Sequence, residues 1–289
     1  MPLTIAVLGA TGVYARHLIP RLVARGHAVR ALVRRPDAAA IAIACGADVR
    51  VADIFDPAAL RAGVSGCDVS VNLATSLPGP SGRGNYAAND RLRREGVPVW
   101  LRACEDMGVP RVFQQSIGWV NFSPGDAWAD EDTCNVPDDT IAGAAITAAR
   151  DMEDAARSAN LDWVILRGAL FYGPGTGLDD GWFDRARTGR LRLPGDGRDY
   201  VSLVHIADMA NATVAAIEQW PSRQALIVAD DHPAPWRDVL GYIAAIAGCA
   251  EPALGGQAGF PSARLRNNRA RSTLNWEPLY ADYRMGLAR

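Results

Sequence analysis

Residues 3–15 read Leu3-Thr4-Ile5-Ala6-Val7-Leu8-Gly9-Ala10-Thr11-Gly12-Val13-Tyr14-Ala15. The first six form a short, β-branched, apolar run closed by a glycine, the pattern of a strand buried on both faces. From Val13 to residue 25 the apolar positions recur at helical spacing, and Gly26 stops them. Between strand and helix lies the turn. Gly9 allows it to be tight, Gly12 lets the backbone approach a ligand at the positive end of the helix, and Ala15 is small enough for the helix to pack close on the strand. Such a strand, turn and helix cradle a pyrophosphate, which makes Gly9, Thr11, Gly12, Val13 and Tyr14 the first candidate binding residues.

Working outward, apolar runs at 28–33, about 49–51, 69–73, 111–115 and 163–166 read as strands, with helical segments near 57–63, 87–107 and 140–158. Strand and helix alternating at this cadence predict a parallel sheet with right-handed crossovers and helices on both faces, a doubly wound α/β fold. After Arg167 the pattern loosens. Turn-rich stretches at 173–177 and 194–197 flank a short helix at 182–187. A strand and helix return at 201–203 and 205–220, then a strand at 225–228 and a helix at 236–246. The last forty residues show little periodicity. Residues 1–167, with returning segments at about 200–230, are expected to form a dinucleotide-binding core, and 168–289 mostly a small C-terminal lobe for substrate.

The end of the second strand chooses between cofactors. An acidic residue there would bind a ribose 2′-hydroxyl, but the sequence is Val33-Arg34-Arg35-Pro36, two guanidiniums suited to a 2′-phosphate. NADP(H) is therefore favoured over NAD(H), against the plainer reading of two solvated loop charges.

Composition narrows the chemistry. The chain has 289 residues and thirty basic side chains, every one of them Arg. Without lysine there is no Schiff base, no P-loop amine and no Lys-assisted proton relay, because arginine releases no proton near neutrality. A net charge of −2 leaves no footprint for nucleic acid or an anionic membrane. Five scattered cysteines without a CxxC and four scattered histidines argue against a disulfide framework or a metal site. No apolar run approaches a membrane span, and the early glycine turn leaves no room for a signal peptide, so a cytoplasmic protein is expected.

Further motifs bring a family into view. Ala52-Asp53-Ile54-Phe55-Asp56 follows the third strand, Asn72-Leu73-Ala74 ends the fourth and Phe113-Gln114-Gln115-Ser116 ends the fifth. Leu166-Arg167-Gly168, then Phe171-Tyr172-Gly173-Pro174-Gly175, Val204-His205-Ile206-Ala207-Asp208-Met209-Ala210 and Leu274-Asn275-Trp276-Glu277-Pro278 follow in order. With the glycine turn, the set resembles the extended or atypical short-chain dehydrogenase/reductases, close to the NAD-dependent epimerase/dehydratase members of the NAD(P)-binding Rossmann superfamily. The resemblance implies that Asp53 and Ile54 contact adenine, that Leu73, Ala74 and Thr75 line the ribose and pyrophosphate side, and that residues 168–173, beginning with Gly168, pass near the nicotinamide. It also implies the possibility of a homodimer. An ordinary strand-end cap is the alternative for Asp53.

One part of the family pattern is missing. The resemblance implies a Tyr-x-x-x-Lys pair on the helix after the fifth strand. Aligning Glu153 on the acidic residue that follows the Lys puts the pair at Ala145 and Ala149, and residues 124–160 contain neither Tyr nor Lys. Ser116 aligns with the structural serine and Ile117 with the catalytic one; a one-residue slip makes Ser116 the catalytic serine. Replacement acids near the expected cleft are Tyr172, Tyr200, His205, Asp179, Asp180 and the acidic stretch 126–132, with Ser116 and Tyr172 the preferred catalytic candidates. Trp119, Trp128, Trp182 and Trp236, with Phe122, Phe171, Tyr172 and Phe183, suit either a bulky aromatic ligand or simple packing of the lobe. The expected function is an NAD(P)-dependent oxidoreductase or epimerase-like enzyme on a bulky small molecule. A redox-silent isomerase or cyclase, and a non-catalytic NADP(H)-binding regulator, are the alternatives.

Overall fold

The computed structural model describes residues 1–78, 84–257 and 259–288. Seven strands form one parallel sheet in the order Gln224–Val228, Asp162–Gly168, Arg111–Ile117, Val69–Asn72, Thr4–Leu8, Ala28–Val33, Asp48–Val51. The doubly wound α/β expectation holds, and the order explains why. The chain starts in the middle, winds to one edge through three strands, returns beside Thr4–Leu8 and winds to the other edge, so helices cover both faces.

Register sets up the site. Leu8 pairs with Leu32 on one side and Asn72 on the other. The residues that follow these strands, Gly9, Val33 with Arg34, and Leu73 with Ala74, therefore emerge side by side along one edge of the sheet. The helix Val13–Ala24 springs from the first of these turns and buries Tyr14, Ala15, Leu18, Ile19 and Leu22, the stripe expected from its spacing. The helix Pro57–Val64 begins where Asp56 accepts hydrogen bonds from the N–H groups of Ala58 and Ala59, both at 3.0 Å.

The long helix expected over 87–107 is three pieces: Tyr86–Arg91, a π-helical turn at Leu92–Gly96, and Val97–Asp106. Pro98 is the reason, since it lacks the N–H that would reach back to Arg94 and its ring crowds that carbonyl.

The chain divides into two compact units that interleave in sequence. The first comprises Met1–Ser116, Thr147–Leu166 and Ala210–Ala225, and the second Ile117–Ile146, Arg167–Met209 and Leu226–Arg289. Residues 117–146 thus go with the second unit. After Ile117 the chain leaves the main sheet through a 3₁₀ turn, and its next strand, Trp128–Ala129, pairs with Arg264–Leu265 instead. The second unit is held by such short ladders, including Leu170–Tyr172 with Leu203–His205 and Ala253–Gly256 with Arg192–Pro194. Its last part also contains helices Asn268–Leu274 and Tyr283–Leu287, too short to leave a periodic trace in the sequence.

Candidate functional site

A cavity of about 280 Å³ opens in the first unit where the strand ends meet. Its floor is the glycine turn. Gly9 sits at φ +79°, and a Cβ there would lie 2.7 to 2.8 Å from the backbone of Leu73 and Ala74. Both the positive φ and the close approach demand glycine. Gly12 donates its N–H to the Gly9 carbonyl at 2.9 Å and serves as N-cap of the helix Val13–Ala24. The positive end of that helix's dipole lies beside the cavity, an arrangement suited to an anion.

The walls come from the neighbouring strand ends. On one side stand Ala52, Asp53, Ile54 and Phe55, with Asp53 accepting from the Phe55 N–H at 2.9 Å. On the other, side chains hold the segment 73–76 in place. Asn72 accepts from the Ala74 N–H at 3.0 Å while donating to Gln114 at 2.9 Å, and Asn89 accepts from the Ser76 N–H at 2.9 Å. Arg34 and Arg91 supply positive charge. Arg91 donates to Glu95 at 2.8 Å and lies 4.8 Å from the Phe55 ring centroid, whereas Arg34 is exposed and meets no carboxylate among the described residues.

Of the residues singled out in the sequence, Gly9, Thr11, Gly12, Arg34, Asp53, Ile54, Leu73, Ala74 and Thr75 line this cavity. Val13, Tyr14, Arg35, Ser116 and Gly168 do not. Tyr14 faces the interior, its phenol hydrogen-bonded to Thr213, and burial pushes its pKa above the usual tyrosine range. Ser116 is fully buried at the end of its strand, with a hydroxyl that finds no partner among the described residues. Sequence reasoning missed Phe55, Ser76, Ala88, Arg91 and Leu92. Phe55 was in reach, next to Asp53-Ile54; the last three lie on a helix whose facing only tertiary packing sets.

Several of the replacement acids offered by the sequence, Tyr172, His205, Asp179 and Glu131, lie in the second unit. Tyr172 is completely buried beside His205, with ring centroids 5.2 Å apart. Its hydroxyl has no partner among the described residues, and burial, helped by Asp230, Asp208 and Asp282, pushes its pKa far up. A phenol so placed gives up its proton poorly, which corrects the expectation of a loop tyrosine facing a cleft. His205 accepts from the Ala207 N–H at 3.3 Å at the start of a helix and stacks on Tyr280 at 3.8 Å. Asp179 accepts from the Gly173 N–H at 3.2 Å and from the Thr176 hydroxyl at 3.1 Å, which fixes a turn. Glu131, in the acidic stretch, accepts from the Ile227 N–H at 2.9 Å. Of the tryptophans, Trp182 is buried edge-to-face on Trp236 at 6.0 Å, while Trp128 is 41% exposed.

The helix Ile141–Ser158 carries the positions of the missing pair. Ala145 and Ala149 are buried, and Glu153, also buried, pairs with Arg157 at 2.7 Å. No helix among the described residues is long and apolar enough to cross a membrane.

Comparison with known proteins agrees with this geometry. Residues 9–219 match the model of an NAD(P)H-binding family. Over 310 aligned residues, 99% of either chain, the sequence is 34% identical to a 3-diazoavenalumate denitrifying reductase from a Streptomyces species. It is 29% identical to a 4-hydroxy-2-methyl-3-oxo-4-farnesyl-3,4-dihydroquinoline-1-oxide ketoreductase of Stigmatella aurantiaca, covering 81% of this chain and 70% of that one. Among solved structures, the UDP-glucose 4-epimerase of Thermotoga maritima superposes with a TM-score of 0.78 at 20% identity, over 99% of this chain and 96% of its own. The chain belongs to the NAD(P)H-binding family and is an NAD(P)-dependent oxidoreductase of the short-chain dehydrogenase/reductase type.

Proposed function

We propose that this protein is an NADPH-dependent reductase that removes a diazo group from an aromatic acid, a reading prompted by its Streptomyces relative, a 3-diazoavenalumate denitrifying reductase. The observation that carries the reading is the helix Ile141–Ser158, with buried alanines at 145 and 149 in a chain that has no lysine. Reducing a ketone develops an alkoxide that must be protonated, and the Tyr–Lys pair meets that demand in the wider family. Bound NADPH supplies a hydride, and for an aryl diazonium that suffices: a C–H bond replaces the C–N bond, dinitrogen leaves with the bonding pair, and no proton is taken up. The missing relay then follows from the chemistry rather than from a loss of activity.

The residues of the first unit fit the cofactor. The glycine turn and helix end take the pyrophosphate, Asp53 and Ile54 the adenine side, and Leu73, Ala74 and Thr75 the opposite wall. Arg34, lining the cavity without a carboxylate partner, takes the 2′-phosphate and favours NADPH over NADH.

The test uses NADPH deuterated at C4 with 3-diazoavenalumate. Deuterium at the ring carbon that carried nitrogen, with one dinitrogen released per NADPH oxidised, is the expected outcome. Dinitrogen loss without deuterium transfer, or reduction of simple ketones at a comparable kcat/KM, would overturn the reading.

A further inference from the structure

The cavity of the first unit carries two arginines, and their surroundings separate their roles. Arg34 stands at a strand end, exposed, and meets no carboxylate among the described residues. Arg91 is held from two sides. Its Nε donates to Glu95, four residues on, at 2.8 Å, and its guanidinium lies over the Phe55 ring, 4.8 Å from the centroid. The adjoining carboxylate offsets the charge, so Arg91 suits a phosphate less well than Arg34 does. A guanidinium fixed over an aromatic ring keeps a second planar face, and that face can stack on a flat ligand.

The helix that carries Arg91 is placed to bring it there. Ala88, Arg91 and Leu92 all line the cavity, and their spacing of three and four puts them on one helical face. Asn89 ties this helix to the wall at 73–76 by accepting from the Ser76 N–H at 2.9 Å. The π-helical turn that follows is pressed against the opposite wall, where a Cβ on Gly96 would lie 2.9 Å from the Ile54 side chain. Arg91 therefore starts from one wall and meets Phe55 on the other. It spans the end of the cavity that Ile54 and Phe55 bound.

We propose that Arg91 holds the adenine of the bound dinucleotide, stacking its guanidinium on one face of the base while Phe55 and Glu95 keep that guanidinium in place. The assignment rests on the reading that the adenine lies beside Asp53 and Ile54. It needs neither the preference for NADPH over NADH nor the denitrifying chemistry.

The test measures binding of NADPH and NADH to the full-length protein by calorimetry, with 5′-AMP as a competitor. Arg91→Ala should weaken both dinucleotides by the same factor, about five- to thirtyfold, the worth of one stacked base. The AMP concentration needed to displace NADPH should rise as well. Arg91→Lys keeps the charge but loses the plane, so it should recover little of the affinity. Both variants should keep the wild-type Tm, because the Arg91 side chain is 64% exposed. Unchanged affinity in Arg91→Ala, a loss confined to NADPH, or full recovery in Arg91→Lys would each overturn the proposal. Failure of AMP to displace NADPH from the wild-type protein would instead overturn the adenine placement beneath it, which tells the two failures apart.

Discussion

The two units line their cavities by different means. In the first unit the contact surface is largely backbone, shaped by Gly9 and Gly12, and the side chains that brace it, Asn72 and Gln114, satisfy one another. In the second unit a cavity of about 410 Å³ is lined by side chains, among them the exposed Arg266 and Asp230, whose buried Oδ2 has no partner among the described residues. A pyrophosphate presents the same shape in every dinucleotide, so a turn of fixed backbone geometry suffices for it. The lining of the second cavity is gathered instead from distant parts of the chain, here positions 128, 230 and 266.

If the first cavity is a backbone device, its most sensitive point is Gly9. Gly9→Val must place a branched Cβ against Leu73 and Ala74 at a positive φ, a strain on the order of 1–3 kcal/mol before the clash is counted. NADPH binding should fall by at least about a hundredfold, read from quenching of tryptophan fluorescence, with a lower Tm. Retained affinity would show that the turn is not the phosphate site.

The side-chain part of that cavity is a smaller effect. Arg34→Ala should weaken NADPH by about 10- to 100-fold, the worth of one charge-assisted contact, and leave NADH binding unchanged. Because Arg35 does not line the cavity, Arg35→Ala should shift the ratio little. Comparing KM for the two cofactors in both variants decides between the neighbouring arginines.

The second unit's unsatisfied carboxyl gives a signature in pH. Asp230 holds its proton to about 8 in the folded protein and to about 3.9 when unfolded. Between these values the native state binds more protons, so this group lowers stability as pH rises, by an amount on the order of a few kcal/mol. Asp230→Asn removes the titration. The fall in Tm from pH 5 to 8 should be shallower in the variant, and parallel curves would show that Asp230 is solvated.

Tyr172 should give the smallest effect. Its hydroxyl is buried and unpartnered, so Tyr172→Phe loses no hydrogen bond seen among the described residues and should change kcat by less than about twofold. A large loss of kcat with an unchanged Tm would restore this phenol as a proton donor.

The fold and the first cavity were legible because their determinants are local. Val7 and Leu8 announce a buried strand, and Gly9 and Gly12 a turn that only glycine permits. Arg34 at a strand end carries its meaning in its place. Tyr14, adjacent to that turn, faces the core because helical rotation turns it away from the ligand end, a fact outside the reach of a motif. Likewise, nothing in the sequence separates Tyr172 in a glycine-rich loop from a tyrosine facing a cleft, since burial is set by Gly286, where any side chain would collide with the phenol.

By itself the sequence determined the winding of the parallel sheet, the tight glycine turn after the first strand and the absence of lysine, all fixed by residue type and near-neighbour spacing. Tertiary structure alone decided that residues 117–146 join the second unit, that Tyr172 is buried, and that Trp128, Asp230 and Arg266 share one cavity. Those outcomes depend on contacts between residues far apart in the chain, such as Tyr172 with Gly286 or Trp128 with Arg264, and the chain's local periodicity carries no record of which distant partner a side chain will meet.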